Sequence, residues 1–593
     1  MVFMEKKKRI GIYAAAAAGI LGAAVFFGTH TCLYGRFFPK NAAEIDLTRQ
    51  KITVEEYEAL CSRFPDTQIL WTVPFQGTRL PLDTESVTVT ALTETDIAAL
   101  ACLPRLRLVD ARACTDYETI LSLIRKIPAC RVDYQVDLGS VSCPGDGTEA
   151  TVTDADPALL NTGLPYLPKL KTLTLEGTLP EFSALTALRE AFPDISFRYF
   201  LSLGGQSVAS DATVLDLSGL SLTPGELKAA LPYLPELETV TISSDVLGED
   251  SVVRLAHQFP DIFFLFDRTV GTQCFSTDAG VLDLTGCSVS REEAEDILFL
   301  CRNLTQLILS DCGLDSETLV ALNRQYPEVS VIWTVQVGIH KVRTDATVFF
   351  PAGVSEKKLP NNEELKNLRY CTSLIAMDLG HCSMTECGWL RELPHLRYLI
   401  LADTEISDLS PLSGLKELIY LELFRTPITD YSPLLDCTAL QDLNLSFTYG
   451  DVSPIGQMTW LHNLHWNPGA DHPELREQIE ALADGELSDT IIETEPDRPR
   501  RSIGGSWRYL PNYYVFRDLI GGAFLNQGSP YHYWGEDAQA ILACAKSEKL
   551  FAGDVLAEIV RRRMDEGLPI PGIKNVGSEK AEILYQSLVS ARP

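Results

Sequence analysis

Five leucine-based segments recur at an almost constant interval between residues 374 and 467, and this interval restricts what the chain can fold into. Each segment has apolar residues in the pattern Leu-x-x-Leu-x-Leu, with Met377 and Trp466 as the only departures. The first leucines are 22, 22, 22 and 21 residues apart. These leucines are Leu374, Leu396, Leu418, Leu440 and Leu461. A cysteine or threonine follows three residues after the last apolar position, at Cys382, Thr404, Thr426 and Thr448.

One copy of this length is too short to bury its own leucines. Stacked copies align each leucine with its counterpart in the next coil and so form one continuous apolar core. The Leu-x-Leu stretch of each copy is expected to be a short strand. The cysteine or threonine is expected to turn the chain inward, where its polar atom meets backbone groups of the next coil. The Ser-Pro-Leu segments that begin at Ser410 and Ser432 are expected to return the chain along the convex side.

This pattern resembles the 22-residue leucine-rich repeat of bacterial surface proteins such as the internalins, over roughly 100 residues. The resemblance implies an α/β fold class, in which a right-handed leucine-rich-repeat solenoid has a parallel sheet on its concave side. It also implies a role in binding, because such a solenoid presents a curved surface to a partner.

A longer period precedes these coils. The motif Phe64-Pro65-Asp66 returns at intervals of 63, 65, 67 and 67 residues. Three strand-like segments fall in each interval, so each long repeat is expected to contain three coils of about 22 residues. The segments from Thr223 to Leu231 and from Arg291 to Leu300 have helical spacing with acidic first turns, which predicts convex helices in this block. The later copies of the motif begin at Ile127, Phe192, Phe259 and Tyr326.

The N-terminus combines a basic cluster at residues 6–9 with an uncharged run from Ile10 to Phe27. A helix of that length extends about 27 Å, which is enough to cross a bilayer core. The positive-inside rule then places the N-terminus in the cytoplasm and the remainder of the chain outside. A cleaved signal peptide followed by secretion is the alternative, although residues 25–32 form a poor cleavage site. Both alternatives place the rest of the chain outside the cytoplasm.

The sequence divides into six segments. The last contains a dense aromatic cluster and three helical patterns, near 535–548, 551–566 and 578–589, which predict a small α-helical module. The segments are a cytoplasmic basic tail at 1–9, a transmembrane anchor at 10–28, the long-period leucine-rich-repeat block at 45–345, the 22-residue repeats at 346–468, a helix and linker at 469–506, and the C-terminal helical module at 507–593.

Composition and motifs exclude several functions. The formal net charge of -30 repels phosphate backbones, so nucleic acid is not expected as a partner. The fifteen cysteines include no CxxC pair, and Cys114, Cys287 and Cys312 lie at the turn position, so most are expected to be small buried residues. The sequence contains no standard catalytic, nucleotide-binding or calcium-binding motif, so neither enzyme activity nor a cofactor is expected.

His462 and His465 form the pattern that comes nearest to a metal site. On a strand, positions three apart lie on opposite faces, so these two side chains cannot chelate one ion. We expect solvated or binding-face histidines here.

The residues between the leucines are expected to line the concave face, because side chains alternate along a strand. Aromatic anchors with a polar rim are what a protein-binding face requires. The sequence leaves open whether an external ligand or the chain's own C-terminal module covers this face. The candidate ligand-binding residues are Tyr398, Tyr420, Phe424, Asp378, Glu422, Asp442, Asn444 and His465.

These features predict a membrane-anchored extracellular protein that binds a protein or another cell-surface ligand through its concave face. An envelope scaffold is one alternative. An enzyme whose solenoid targets the C-terminal module is another. The fold itself does not select among them.

Overall fold

A computed structural model describes residues 28–351, 358–494, 506–521, 531–546 and 550–593. Residues 10–27, which form nearly all of the predicted transmembrane anchor, lie outside these ranges. Within the described ranges, no helix combines the length and apolar character that a membrane span requires. The chain forms two compact units, with the division between Phe263 and Phe264.

The first unit repeats a block of three parallel strands, which are connected by two helices and followed by an antiparallel hairpin. Equivalent apolar residues lie side by side in neighbouring strands, as Val87, Val109 and Val132 do. The prediction of three coils in each long repeat, with helices between the strands, is confirmed. The hairpin was not predicted. In this block the strands are Ser86–Thr88, Leu108–Asp110 and Arg131–Asp133, the helices are Glu94–Ala101 and Tyr117–Lys126, and the hairpin is Gln135–Asp137 with Ser142–Pro144.

The other elements of the first unit follow the same order. The strands are His30–Leu33, Arg36–Pro39, Glu44–Asp46, Gln68–Leu70, Thr72–Phe75, Thr78–Pro81, Glu149–Thr153, Thr172–Glu176, Ser196–Leu203, Gln206–Ala209, Val214–Asp216 and Thr239–Thr241. The α-helices are Val54–Arg63, Pro157–Gly163, Phe182–Ala191, Pro224–Ala230, Ser244–Leu247 and Glu249–Gln258. Two 3-10 helices span Leu164–Tyr166 and Leu231–Tyr233, and the strand Phe263–Leu265 lies at the division between the units.

The recurring Phe-Pro-Asp motif ends a helix in every copy. Phe64 caps the C-terminus of the helix Val54–Arg63, and its N–H donates to the carbonyl of Leu60 at 2.9 Å. A residue that precedes proline disfavours the helical conformation, so the helix stops at this point and the next strand follows. The equivalent cap positions are occupied by Ile127, Phe192, Phe259 and Tyr326.

Three hairpins of the first unit turn through a pair of left-handed residues. Leu33 pairs with Arg36 across Tyr34 and Gly35, whose φ angles are 49° and 77°. Such a turn matches the twist of the flanking strands, and glycine adopts it without steric cost. The Tyr-Gly dipeptide between two short extended segments is the local sequence feature that matches this turn, although one copy of it is a weak signal.

The second unit begins with the last copy of the long repeat. The helix that the sequence predicts at 291–300 is observed with those bounds, and Ser290 caps its N-terminus. This copy contains the strands Val281–Asp283, Gln306–Ile308 and Ser330–Ile332, the helices Arg291–Leu300 and Ser316–Gln325, and the hairpins Asp267–Val270 with Gln273–Ser276 and Thr334–Val337 with His340–Arg343.

Short helices return the chain in the 22-residue coils. Pro411 lies in the first turn of its 3-10 helix, where its missing N–H leaves no backbone hydrogen bond unmade. The prediction that the Ser-Pro-Leu segments form the return path is confirmed. The 3-10 helices are Lys366–Tyr370, Gly388–Glu392, Ser410–Gly414 and Ser432–Asp436, and the α-helices are Asn362–Leu365, Ser453–Gly456 and Pro473–Asp484.

The threonine after each strand bonds to its own coil. Thr404 Oγ1 donates to the carbonyl of Leu401 at 2.8 Å, and Thr426 Oγ1 repeats this contact with Leu423 at 2.7 Å. The expected contact with the next coil is wrong for these side chains, because the carbonyl three residues earlier lies within reach in the same turn. The backbone makes the contact between coils instead. The N–H of Asp403, which has a φ of 55°, donates to the carbonyl of Phe424 at 2.8 Å.

Truncation of one core leucine tests the stacking. Leu421 is fully buried between coils. We expect Leu421→Ala to lower the free energy of unfolding by about 2–5 kcal/mol, because the removed side chain leaves a cavity in a continuous core. The control is Ile339→Ala at a site that is 62% exposed, where a change of less than about 0.5 kcal/mol is expected. Chemical denaturation followed by circular dichroism measures the free energy of unfolding of both variants. Equal decreases in the two variants would contradict a stacked core.

Candidate binding face and the C-terminal module

Seven parallel strands form the sheet of the 22-residue coils, and they arrange the candidate residues in columns. Tyr398 lies beside Tyr420, and Tyr420 lies beside Asp442. The predicted register of the columns is confirmed. The strands are β1 (Val348–Phe349), β2 (Ala376–Asp378), β3 (Tyr398–Ile400), β4 (Tyr420–Glu422), β5 (Asp442–Asn444), β6 (Asn463–His465) and β7 (Ile491–Glu493).

The C-terminal module is helical, as predicted, and its longest helix contacts three of the others. The three predicted helical patterns correspond to the last three helices. The helices are α1 (Pro511–Leu519), α2 (Tyr531–Trp534), α3 (Ala538–Lys546), α4 (Ala552–Glu566) and α5 (Glu579–Val589), with 3-10 helices at Ser506–Tyr509 and Gly535–Asp537.

This module covers the two candidate tyrosines. Tyr398 is fully buried and Tyr420 is 1% exposed, in one apolar cluster with Leu510, Tyr513 and Phe516 of the module. The rings of Tyr420 and Phe516 are stacked, with centroids 5.8 Å apart and planes 12° apart. Of the two alternatives that the sequence left open, the structure has the chain's own module on the face. In this structure the module, and not an external ligand, lies over the two rings.

A buried polar network joins the sheet to helix α1. Asp442 accepts one hydrogen bond from Asn463 Nδ2 at 2.7 Å and another from Asn512 Nδ2 at 2.9 Å. Asn512 also donates to Gln441 Oε1 at 3.0 Å and is 1% exposed. Burial raises the pKa of Asp442 to about 6, although the two amide donors lower it. Sequence reasoning missed Asn512, which is one polar residue within an aromatic segment.

Cationic side chains bond to backbone carbonyls at the edge of the covered face. Lys580 Nζ of helix α5 donates to the carbonyl of Leu461 at 2.5 Å. Arg397 of the repeats donates to the carbonyl of Ser590, and Lys574 donates to the carbonyl of Ser488. These bonds hold the α5 end of the module, while α1 lies over the centre of the face.

The remaining candidate residues lie around the same interface. Phe424 is partly exposed and meets Phe447 edge to face, with centroids 5.4 Å apart. Asn444 is buried and accepts a hydrogen bond from the N–H of Ser446 at 3.0 Å. His465 Nδ1 lies 3.4 Å from a carboxylate oxygen of Glu493 on β7. The side chains of these three residues therefore contact other residues of the repeats and also lie near the concave face.

Two further candidates are carboxylates, of which Glu422 is buried and Asp378 is partly buried. Glu422 is 4% exposed, and its nearest cation is Arg508 of the module at 3.9 Å. Burial raises the pKa of Glu422 to about 7. Burial also raises the pKa of Asp378, against the opposing effects of the Gly380 N–H and of Arg517. Both carboxylates therefore face cations that the module contributes.

His462 is not a surface residue. It is 2% exposed, and burial lowers its pKa to about 3, with Lys580 lowering it further. The expectation of a solvated histidine is wrong at this position, because helix α5 covers the end of its strand. Among the described residues, no group of three or more His, Cys, Asp and Glu side chains is arranged to hold a metal ion.

Most of the cysteines are small buried residues, as predicted. Cys312 Sγ donates to the carbonyl of Leu284 at 3.0 Å from the turn position. The buried cysteines are Cys114, Cys130, Cys143, Cys287, Cys301, Cys312, Cys371, Cys382, Cys387, Cys437 and Cys544.

Removal of both tyrosine rings tests how the module is held. We expect Tyr398→Ala with Tyr420→Ala to speed amide hydrogen exchange in α1 by at least about tenfold, because each buried ring contributes several kcal/mol. Strands β2 to β5 should keep their protection. Tyr449→Ala, at a site that is 48% exposed, is the control. Unchanged exchange in α1 would show that these rings do not secure the module.

The buried Asp442 gives the second unit a distinctive pH dependence. Its pKa is raised from 3.8 to about 6 in the folded state. The folded state therefore binds the proton more tightly, and the contribution of this group to stability falls as the pH rises from about 4 to about 6. Asp442→Asn removes this dependence. It also lowers the free energy of unfolding by an amount that does not vary with pH, because one amide donor loses its acceptor.

Unfolding free energies of the wild type and of Asp442→Asn, measured between about pH 4 and pH 7, check this prediction. The difference between the two should shrink as the pH rises, by about 1.4 kcal/mol for each unit of pKa shift. A difference that stays constant with pH would contradict the raised pKa.

Comparisons with known proteins give likenesses at the level of the fold. No protein family and no curated protein matches the sequence. Internalin C2 from Listeria monocytogenes is 18% identical, with 38% of this chain and 86% of that chain covered and a TM-score of 0.21. The internalin InlF from the same species is 16% identical, with 64% and 95% covered and a TM-score of 0.20.

A leucine-rich-repeat protein from Leptospira interrogans is 14% identical, with 68% of this chain and 93% of that chain covered and a TM-score of 0.17. These values are too low to carry any argument about function. The coils, their 22-residue register and their parallel sheet are observed in the chain itself. The described chain therefore has the fold of a leucine-rich-repeat solenoid, and the spacing of its later repeats is similar to that of the internalin repeat.

Proposed function

We propose that the protein is a bacterial cell-surface binding protein that recognises another protein, or a protein-like cell-surface ligand, through the concave face of its 22-residue repeats. In this proposal residues 10–28 anchor the chain in the membrane, and the repeats and the module lie outside the cell. The basic cluster at residues 6–9 and the uncharged run after it support that orientation. Cleavage of the run would leave the same surface outside the cell.

The observation that carries the proposal is how the concave face holds the C-terminal module. The contact has aromatic anchors at its centre, Tyr398 and Tyr420, which pack against Phe516. Hydrogen-bonded polar groups such as Asp442 and Asn512 surround them. A central aromatic cluster with hydrogen-bonded polar groups around it is the arrangement by which proteins recognise one another. The face is thus suited to a helical protein surface.

The docked module is the resting state in this proposal, and a partner competes with helix α1 for the face. The candidate residues then belong to one site with two alternative occupants. A net charge of -30 disfavours nucleic acid as the partner. That nucleic acid does not bind stays a prediction. No cofactor is proposed, since partner recognition of this kind requires none.

Crosslinking on intact cells with a membrane-impermeant reagent tests the proposal. Phe516→Ala with Asn512→Ala weakens docking from the module side and leaves the face unchanged. We expect this variant to capture more of a protein partner than the wild type, by several-fold. Adding Tyr398→Ala and Tyr420→Ala should abolish the capture. Leu550→Ala, at an exposed site on the module, is the matched control.

Two results would contradict the proposal. If the impermeant reagent does not label the wild-type protein on intact cells, its bulk is not outside. If the module-side variant captures no more partner than Leu550→Ala does, then the module does not compete for the face.

A further inference from the structure

Helix α1 turns one side toward the concave face, and the residues on that side have helical spacing. Asn512 lies four residues before Phe516, and Tyr513 lies four residues before Arg517. Residues four apart share one side of a helix. The first three of these residues are buried and contact the sheet, and Arg517 lines a cavity of about 240 Å³ between α1 and the sheet. The inner side of α1 therefore carries an amide, two aromatic rings and a cation.

Two buried acceptors of the sheet bind the amide. Asn512 Nδ2 donates to Asp442 Oδ2 at 2.9 Å and to Gln441 Oε1 at 3.0 Å. An apolar side chain in place of Asn512 would remove one donor from each acceptor, and a buried acceptor that loses its donor is costly. A carboxylate at the same position would add like charge beside Asp442. The sheet therefore selects a side-chain amide here.

Two tyrosine rings of the sheet bind the aromatic side chains of α1. Phe516 stacks on Tyr420, with centroids 5.8 Å apart, and its centroid lies 6.5 Å from that of Tyr398. The centroids of Tyr513 and Tyr420 are 6.1 Å apart. Aromatic pairs at such separations are favourable beyond the area that they bury, and rings at the centre of an interface carry much of its affinity. The centre of the face therefore selects an aromatic ring four residues after the amide.

The sheet contributes carboxylates beneath α1, and the module contributes the cations that pair with them. Arg508 lies 3.9 Å from Glu422, which also accepts a hydrogen bond from the Tyr420 hydroxyl at 3.4 Å. Arg517 lines the same cavity as Glu422 and Asp378. A partner that covered these carboxylates without a cation would remove them from water unpaired, and an acidic partner would be repelled. The charge of the face therefore selects a cationic helix.

We propose that the protein partner binds this face through a cationic amphipathic helix whose inner side repeats the groups of α1. These groups are a side-chain amide, an aromatic ring four residues later and a cation directly after that ring. The inference rests on the function proposed above and names the chemistry of the partner. The two buried acceptors and the carboxylates of the sheet favour this occupant over an acidic or a purely apolar helix. Recognition through anchors at fixed helical spacing is a general mode of helix binding.

Fluorescence anisotropy with a free peptide of residues 506–521 tests the inference on the full chain. The chain carries Phe516→Ala with Asn512→Ala, which weakens docking of its own module, and is called the open-face chain. We expect the peptide to bind the open-face chain at least about tenfold more tightly than the wild-type chain. In the peptide, Phe516→Ala, Asn512→Leu and Arg517→Glu should each weaken binding by at least about tenfold. A scrambled peptide of the same composition is the matched control.

An exchange of donor and acceptor separates recognition of the amide from damage to the fold. The peptide with Asn512→Asp faces Asp442 with like charge and should bind the open-face chain at least about tenfold more weakly. An open-face chain that also carries Asp442→Asn should recover part of that loss, because the donor then lies on the sheet and the acceptor on the peptide. Structural damage from either substitution would not produce such a recovery.

The partner captured on intact cells gives the final comparison. The peptide of residues 506–521 should displace it from the open-face chain, and the scrambled peptide should not. A captured partner that the peptide fails to displace would overturn the inference and leave the proposed function standing, whereas failure to capture any partner would contradict the proposed function.

Three further results would overturn the inference. The first is no binding of the peptide at millimolar concentration, and the second is equal binding by the scrambled peptide. The third is concentration-dependent dimerisation of the wild-type chain that Tyr420→Ala abolishes, since the occupant of the face would then be a second copy of the chain.

Discussion

Burial of leucine side chains between successive coils holds the second unit together. Leu374, Leu396, Leu418 and Leu440 are all fully buried, each in a coil that could not bury it alone. Because these side chains must align, the strands align with them, and the intervening residues fall into columns. The arrangement of side chains on the concave face therefore follows from how the leucine core packs.

The interface between the sheet and the module combines apolar rings with buried ionisable groups. The stacked rings of Tyr420 and Phe516 supply apolar burial at its centre. Asp442 and Glu422 are buried beside them, and burial raises the pKa of both. Burying carboxylates opposes docking unless they are protonated or paired. Docking of the module therefore depends on pH, through the protonation of these carboxylates.

Much of the fold followed from periodicity. Spacing in the sequence was sufficient to predict the strands, the register of Tyr398 with Tyr420, and the three coils of each long repeat, because these features recur and each copy reinforces the others. The hairpins were missed, since a Tyr-Gly or Gln-Gly dipeptide is a weak signal in a single copy. The threonine contacts were assigned to the wrong coil, because spacing does not say which of two nearby carbonyls a hydroxyl reaches.

The sequence was sufficient to predict which residues form the candidate site, but not whether the site is open or covered. By itself the sequence determined that Tyr398, Tyr420, Glu422 and Asp442 would share one face, because a strand alternates its side chains and the coils keep a constant length. Only the tertiary structure decided what covers that face. Docking of α1 depends on contacts such as Asn512 with Asp442, which are 70 residues apart in the chain. No local pattern encodes such a contact, because it depends on shape and burial that exist only after both parts have folded.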